Sequence, residues 1–307
     1  MHLLSGNEDG VRRWRLTDRQ EVGKQTAVAV SCISVSRDHK WVVCGSDEGA
    51  SVWNERMDEK ITEVEVTKAV VAVDASPDST RFAVGITRPD NQASIWSMKT
   101  GRRLVGPLQH DDEVTGIKFS QDGELVATAC SEGSVRIFNS RKGDELVTIN
   151  TAIPEWSPIT PFAWSSDSQR ILSACRDNKI RAFDSTGSQH TESLSFSDSG
   201  KGYRAQSIAL AANGKFIATG IWESILFLDA LTLKQIGPVI KDSGQIRSSI
   251  AISADSSYLA TGQRNGKIVI HDLSNILPPW YGPFHVSRVC TFIIPTCWIS
   301  PIVTHTT

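Results

Sequence analysis

The sequence lacks the features that mark secreted, membrane or nucleic-acid-binding proteins. Its six cysteines form no CxxC pair and no metal-ligand spacing. There is no Asn-x-Ser/Thr sequon, and the first six residues, MHLLSG, are too short and too quickly polar for a secretory leader. The net charge is only −2 at a pI near 6.4, so the composition provides no attraction to nucleic acid or to an anionic membrane. Unpaired cysteines fit a reducing compartment, and we expect a cytoplasmic protein.

Motifs that carry chemistry are also missing. The sequence contains no Gly-x-Ser-x-Gly, no His-Glu-x-x-His and no EF-hand loop, and its seven histidines are scattered. The segment Ser199 to Gly202 lacks the first glycine and the final Ser/Thr of a phosphate-binding loop, which favours a flexible surface turn. We therefore predict no catalytic, cofactor-binding or metal-binding residues and no small-molecule substrate. The alternative is an enzyme, such as a hydrolase, whose site is assembled from distant loops.

What the sequence does contain is an internal repeat. The pattern apolar-x-apolar-Ser-x-Asp begins at Ile33, Val73, Ile117, Phe162, Ile208 (a weaker copy) and Ile250. The Ser or Ala positions of successive copies lie 40–46 residues apart. A second pattern, a strand that ends in an aromatic residue or its substitute, recurs with a similar period at Trp14, Trp53, Trp96, Phe138, Phe183, Leu228 and His271. A period of about 40–45 residues that carries four short strands predicts an all-β fold, the β-propeller.

Local patterns agree with this fold. The Ser-x-Asp-Gly segment Ser120 to Gly123 suits a type I turn. Apolar residues alternate with small ones in the strands, as expected for sheets packed against neighbours on both faces. We therefore predict that Phe138 and Phe183 are buried where two blades meet.

These segments resemble WD40 repeats over about residues 2–273. The resemblance is clearest in the last strand of each repeat, as in 51–53, 94–96 and 136–139. Only His110 occupies the position of the Gly-His histidine, and Phe138 replaces the tryptophan. The Trp–Ser/Thr–His–Asp network of the family is therefore expected to be incomplete in every blade, so that stability rests mainly on packing. The resemblance also extends to the recognition propellers of large NTPase-containing signalling proteins, which makes the chain a candidate fragment of such a protein.

The number of repeats predicts seven blades of four antiparallel strands, with blade seven shared between the termini. The chain opens in mid-repeat, and six full repeats follow, so the C-terminal tail must donate the two missing strands to the N-terminal half-blade. We expect residues 289–294 to pair with residues 2–6, because closure from both termini removes exposed edges. The predicted propeller spans 1–294, and an irregular apolar tail spans 295–307.

The tail itself allows three interpretations. Residues 273–307 contain no Asp or Glu and a single charged residue, Arg288, together with five prolines. The segment is a degenerate closing strand, an exposed hydrophobic tail, or a sequence end foreign to the original fold. Membrane insertion of 284–303 is disfavoured by Arg288 and two prolines.

The predicted function is a non-catalytic protein-interaction scaffold that binds protein or peptide partners through its loop rim. Rigid blades hold many variable loops at one end, which suits recognition. The turns between the two later strands of each blade place on one rim Asp47, Arg88, Arg176, Trp222 and Arg264. Their mixed charges favour a peptide over nucleic acid. Trp222 is either a binding anchor or rim packing, and the sequence leaves both open.

Overall fold

The computed structural model describes residues 2–7, 9–16, 18, 20–23, 29–66, 68–150, 161–174, 179–192, 205–221, 223–241, 246–263, 266–281, 291–295 and 303–306. These residues form β-strands and two short 3-10 helices, Leu273–Asn275 and Pro279–Tyr281. Among them we find no helix with the length and apolar character needed to cross a membrane.

The strands form seven four-stranded sheets, which are the blades. Blade 1 contains, from the inside outward, β27 (Thr291–Pro295), β1 (His2–Asn7), β2 (Gly10–Arg15) and β3 (Gln20–Glu21). Blade 2 contains β4 (Cys32–Val35), β5 (Trp41–Gly45), β6 (Gly49–Asn54) and β7 (Lys60–Glu65). Blade 3 contains β8 (Val70–Ala75), β9 (Arg81–Ile86), β10 (Gln92–Ser97) and β11 (Arg103–Gln109).

The remaining blades follow in chain order. Blade 4 contains β12 (Val114–Phe119), β13 (Leu125–Cys130), β14 (Ser134–Asn139) and β15 (Glu145–Asn150). Blade 5 contains β16 (Phe162–Trp164), β17 (Arg170–Ala174), β18 (Ile180–Asp184) and β19 (Gln189–Glu192). Blade 6 contains β20 (Ala205–Leu210), β21 (Phe216–Ile221), β22 (Ser224–Asp229) and β23 (Ile240–Lys241). Blade 7 contains β24 (Ile246–Ile252), β25 (Tyr258–Gln263), β26 (Ile268–Asp272) and β28 (Val303–Thr306).

The first strands of the seven blades surround the central axis. Each of them contacts the first strand of the next blade, from β4 through β8, β12, β16, β20 and β24, and β27 contacts both β24 and β4. The ring is therefore closed, and the predicted seven-bladed propeller is confirmed.

The two tail strands close the ring in an unexpected way. The predicted pairing is confirmed, because His2–Gly6 pair with Thr291–Pro295. However, β27 runs parallel to β1, whereas the six other first strands are antiparallel to their neighbours. The prediction that both missing strands complete the N-terminal half-blade was wrong. The second one, β28, lies within the tail expected to be irregular and forms the outer edge of blade 7, parallel to β26. A sequence repeat begins with the outer strand of one blade and continues with the three inner strands of the next. The two strands missing from the N-terminal repeat therefore belong to different blades, β28 to blade 7 and β27 to blade 1.

Apolar side chains pack in clusters along the seams between blades. Phe138 of blade 4 packs with Ala83 and Ile95 of blade 3, and Phe183 of blade 5 packs with Ala127 and Ile137 of blade 4. The exposed fractions of the Phe138 and Phe183 side chains are 3% and 5%, which confirms their predicted burial. Small residues on one sheet thus admit the aromatic side chains of the next.

The hairpins divide the turns between two faces of the ring. Turns between the first and second strands, and between the third and fourth, lie at one end of each blade, which we call the Ser-x-Asp face. Turns between the second and third strands lie at the opposite end, together with the connections between blades. We call that end the rim face.

Candidate interaction surfaces

The repeated Ser-x-Asp pattern builds the same turn in five blades. In blade 4, the Ser120 hydroxyl donates to Asp122 Oδ1 at 2.6 Å and accepts from the Leu125 N–H at 3.0 Å. The Glu124 N–H donates to the same carboxylate oxygen at 3.0 Å, and Gly123 has a φ of 75°. The predicted turn is therefore present, and its fourth residue has the left-handed conformation that favours glycine.

Equivalent Ser–Asp bonds of 2.5–2.6 Å join the remaining pairs Ser36–Asp38, Ser76–Asp78, Ser165–Asp167 and Ser253–Asp255. In blade 5, the Ser165 hydroxyl lowers the pKa of Asp167, and with the Gln169 N–H it outweighs the opposing effect of partial burial. The carboxylates of these turns therefore serve to fix the backbone.

Serine at the fourth turn position links neighbouring blades. Ser79 of blade 3 has a φ of 57°, and its hydroxyl accepts from the Asp38 N–H of blade 2 at 3.2 Å. Ser168 of blade 5, with a φ of 61°, accepts in the same way from the Asp122 N–H of blade 4 at 3.0 Å. These bonds explain why serine occupies a position that otherwise favours glycine.

A cavity of about 310 Å³ lies on the Ser-x-Asp face. The middle residues of the turns line it, namely Arg37, Gln121, Ser166 and Ala212 from four different blades. Asp122 and Asp167 also line it, and each carboxylate accepts hydrogen bonds from its own turn. The cavity therefore presents few unengaged charged groups to a ligand.

The rim face carries two of the five predicted binding residues within the described part of the chain. Asp47 and Arg88 are exposed on the turns between the second and third strands of blades 2 and 3. Arg88 donates to Asp112 Oδ1 through Nε at 2.9 Å and Nη2 at 2.5 Å. Partial burial opposes ionisation of Asp112, but the Glu113 N–H and Arg88 outweigh it and hold its pKa below the usual value. Arg176, Trp222 and Arg264 lie outside the described residues, so their placement stays a prediction.

His110, close in sequence to Asp112, is buried and hydrogen-bonded through both ring nitrogens. Its Nδ1 lies 2.9 Å from the Leu108 carbonyl oxygen, and its Nε2 lies 2.8 Å from Thr128 Oγ1. Its ring also meets Phe138 edge-on at 5.5 Å between centroids. Burial, reinforced by the positive charge of Arg136, lowers the His110 pKa to about 4, so the ring is neutral at physiological pH. His110 thus acts as a structural element of the blade.

Among the described residues, parts of the Trp–Ser/Thr–His–Asp network occur in three blades. His110 and Thr128 form one fragment in blade 4. In blade 1, Trp14 Nε1 donates to Ser5 Oγ at 2.9 Å, and in blade 2, Trp53 Nε1 donates to Ser51 Oγ at 2.9 Å. These bonds anchor the indole rings within their own blades.

The described residues contain no group of three or more His, Cys, Asp or Glu side chains that could hold a metal ion. Burial raises the pKa of the Cys130 thiol to about 12, which keeps it protonated and poorly nucleophilic. Cys175, its predicted counterpart, lies outside the described residues.

One exposed apolar surface was missed by the sequence analysis. Leu231 and Trp280 have exposed side-chain fractions of 66% and 68%, the largest among the exposed large apolar residues of the described chain. Both lie on the Ser-x-Asp face of blade 6. The absence of Asp and Glu from residues 273–307 was visible in the sequence, but the position of Trp280 depends on contacts with distant turns.

Comparisons with known proteins agree with this architecture. The model of the WD domain, G-beta repeat, matches residues 20–54 and 157–184. The model of the anaphase-promoting complex subunit 4 WD40 domain matches residues 78–157.

The matches to curated relatives cover only a small part of each relative. Human Coronin-7 is 25% identical over 115 residues, which are 35% of this chain and 12% of Coronin-7. A DDB1- and CUL4-associated factor 7 homolog of Dictyostelium discoideum is 31% identical over 75 residues, covering 24% of this chain and 23% of that protein. Rat apoptotic protease-activating factor 1 is 30% identical over 149 residues, covering 47% of this chain and 12% of that protein. The chain thus spans less than a quarter of each of these relatives.

Among solved structures, the β-propeller domain of Cps50 (Swd1) from Myceliophteria thermophila superimposes with a TM-score of 0.66 at 14% identity. The match covers 85% of this chain and 88% of that domain, and at this identity it shows the fold alone. Repeats that match WD40 models and close into seven blades show that the chain is a β-propeller with repeats similar to those of the WD40 family.

Proposed function

We propose that this propeller is a non-catalytic platform that binds protein or peptide segments on its rim face. One observation supports this above all: a closed ring of seven sheets brings strand ends from every blade to the same face. Such turns tolerate variation in sequence, while the packed seams beneath them fix their positions. The proposal includes a cytoplasmic location and no cofactor.

The charges of the rim face support a protein partner. Its described turns and connections carry the acidic residues Asp47, Glu48, Asp111 and Glu132 and the basic residues Lys68, Arg88, Lys179 and Lys267, with Arg88 paired to Asp112. Nucleic acid is bound mainly through Lys and Arg contacts to phosphates, and acidic residues interrupt the basic ones on this face. A protein segment with both acidic and basic groups is a better match.

The relatives support a role as part of a larger protein. The match to rat apoptotic protease-activating factor 1 covers 47% of this chain but only 12% of that protein. We therefore propose that the chain acts as the recognition part of a longer, multidomain protein.

A charge reversal tests the location of the binding surface. Affinity capture from a cell lysate, quantified by mass spectrometry, should recover specific proteins with the intact chain and lose them with Arg88→Glu. The matched control is Arg102→Glu, because Arg102 is an exposed arginine in a turn of the same blade on the opposite face. Equal losses with both variants would argue against a rim-face site.

The role of Trp222 needs two measurements on one variant. If Trp222 is an anchor, Trp222→Ala should weaken binding of a captured partner by about 2 kcal/mol or more at an unchanged melting temperature. A lower melting temperature at unchanged affinity would instead identify Trp222 as rim packing.

A further inference from the structure

The segment that follows the last strand of the repeats folds back onto blade 6. Leu273 and Leu277 are buried there in one cluster with Phe216 and Phe227. The backbone at Ile276 lies close to Gly237 of blade 6, because a Cβ atom added to Gly237 would be 3.0 Å from the Ile276 carbonyl oxygen. The segment 273–281 is therefore part of the packed structure of this blade.

Three hydrogen bonds fix the end of this segment. Lys215 Nζ donates to the Trp280 carbonyl oxygen at 2.8 Å, and Asn213 Nδ2 donates to the Tyr281 carbonyl oxygen at 3.1 Å. The Tyr281 hydroxyl donates to Asp229 Oδ2 at 2.8 Å, and its ring meets Phe216 edge-on at 6.4 Å between centroids. The backbone of Trp280 is thus held by both turns of blade 6 on the Ser-x-Asp face.

The side chain of Trp280, however, points away from this packing. It is 68% exposed, and its ring lies 6.4 Å from the Tyr281 ring between centroids. Leu231, which is 66% exposed, belongs to the turn whose Asp229 carboxylate binds Tyr281. We call the surface formed by Leu231, Trp280, Lys215 and Lys234 the Trp280 patch. A tryptophan on a fixed backbone loses little entropy on binding, and tryptophan is enriched in binding hot spots.

The charge of the Trp280 patch is positive. Lys215 and Lys234 are exposed on the two turns of blade 6 that bind residues 280 and 281. The carboxylate on these turns, Asp229, is engaged by the Thr232 N–H at 2.7 Å as well as by Tyr281. Residues 273–307 contain no Asp or Glu, so this segment adds no negative charge to the patch.

From this combination we propose that the Trp280 patch binds a protein segment in which an aliphatic or aromatic residue is flanked by acidic residues. The apolar residue covers the indole and Leu231, and the carboxylates face Lys215 and Lys234. A second copy of this chain does not fit as the occupant. A twofold interface would bring the same lysines of both copies together without acidic partners. The proposed site lies on the face opposite the rim and is independent of the rim-face function.

A selection from random peptides tests this proposal. A phage-displayed library of random 12-residue peptides is selected in parallel on the intact chain, on Trp280→Ala and on Leu104→Ala. Leu104 is a matched control, since it is an exposed apolar residue (51%) on the outer strand of blade 3. We expect the intact chain and Leu104→Ala to enrich peptides with Asp or Glu beside Leu, Phe or Trp, and Trp280→Ala to lose them.

An enriched peptide is then synthesised with a fluorophore, and its Kd is measured by anisotropy. It should bind at least 10-fold more weakly to Trp280→Ala and to Lys234→Glu, with no change for Leu104→Ala or for Arg88→Glu on the rim face. Enrichment of basic or uncharged peptides, or enrichment that Trp280→Ala retains, would overturn the proposal. So would a dimer in analytical ultracentrifugation that Trp280→Ala dissociates.

Discussion

Leu233 offers a sharp test of how the blades are joined. It lies in the turn between the third and fourth strands of blade 6, with a φ of 54° and an exposed fraction of 2%. Glycine takes the equivalent left-handed position in blades 3 and 4, at Gly101 and Gly143. Leucine is present here because its side chain fills the seam between blades 5 and 6, in one cluster with Leu172 and Ile217.

The magnitudes follow from these two properties. Leu233→Ala should lower the free energy of unfolding by about 2–5 kcal/mol, because it leaves a cavity in the seam. A left-handed conformation costs about 1–2 kcal/mol for leucine and alanine alike, and glycine removes this cost. Glycine also adds about 0.5–1 kcal/mol of backbone entropy to the unfolded chain. Leu233→Gly should therefore be as stable as Leu233→Ala or more stable.

The assay is urea unfolding followed by tryptophan fluorescence, with midpoints compared at constant m-value. Ala230→Gly is the control, because Ala230 is buried in the same cluster without a positive φ and should lose about 1 kcal/mol. If Leu233→Gly proves less stable than Leu233→Ala by the same 1 kcal/mol, the argument from backbone conformation is refuted.

Two further predictions concern burial in the seams and in blade 4. Phe138→Ala and Phe183→Ala should each lower the free energy of unfolding by about 3–5 kcal/mol, and losses below about 1 kcal/mol would contradict their place in the seams. Burial lowers the pKa of His110 to about 4 in the folded chain, below the ordinary value of 6.5 that applies in the unfolded chain, so the unfolded chain gains a proton first as the pH falls. Between pH 6.5 and 4 the wild type should therefore lose up to about 3 kcal/mol more stability than His110→Gln in urea titrations, and parallel pH profiles would rule this out.

The sequence predicts most of the ring because its signals are local and repeated. The Ser-x-Asp turn needs a hydroxyl, a carboxylate and a left-handed residue within four positions, and segments such as Ser120 to Gly123 contain all three. Strand register then follows from the period of two, which places Phe138 and Phe183 in the seams. The number of blades follows from counting these units.

The ends of the ring follow from different physics. Residues 291–295 and 303–306 have no Ser-x-Asp turn, and strand direction without a tight hairpin is decided by the partner strand. The partners, β1 and β26, are more than 30 residues away along the chain, so local patterns do not reveal the parallel pairing. Local patterns do not reveal the Trp280 patch either, because it depends on contacts between blade 6 and the segment that follows the third strand of blade 7. Arg176, Trp222 and Arg264 stay predictions.

The fragments of the Trp–Ser/Thr–His–Asp network in blades 1, 2 and 4 are accompanied by polar contacts between blades. Asp74 of blade 3 accepts from the Ser34 hydroxyl of blade 2 at 3.3 Å and from the Phe119 N–H of blade 4 at 2.9 Å. Arg81 of blade 3, 7% exposed, donates to the Ser140 and Gly123 carbonyl oxygens of blade 4 at 3.1 and 3.0 Å. A buried charge-assisted bond is stronger than a neutral one, and removing either partner leaves an unpaired buried group. Hydrogen bonds between blades therefore stabilise the ring together with the apolar packing that the sequence predicts. The Trp–Ser/Thr–His–Asp network of the family, in contrast, connects strands within one blade.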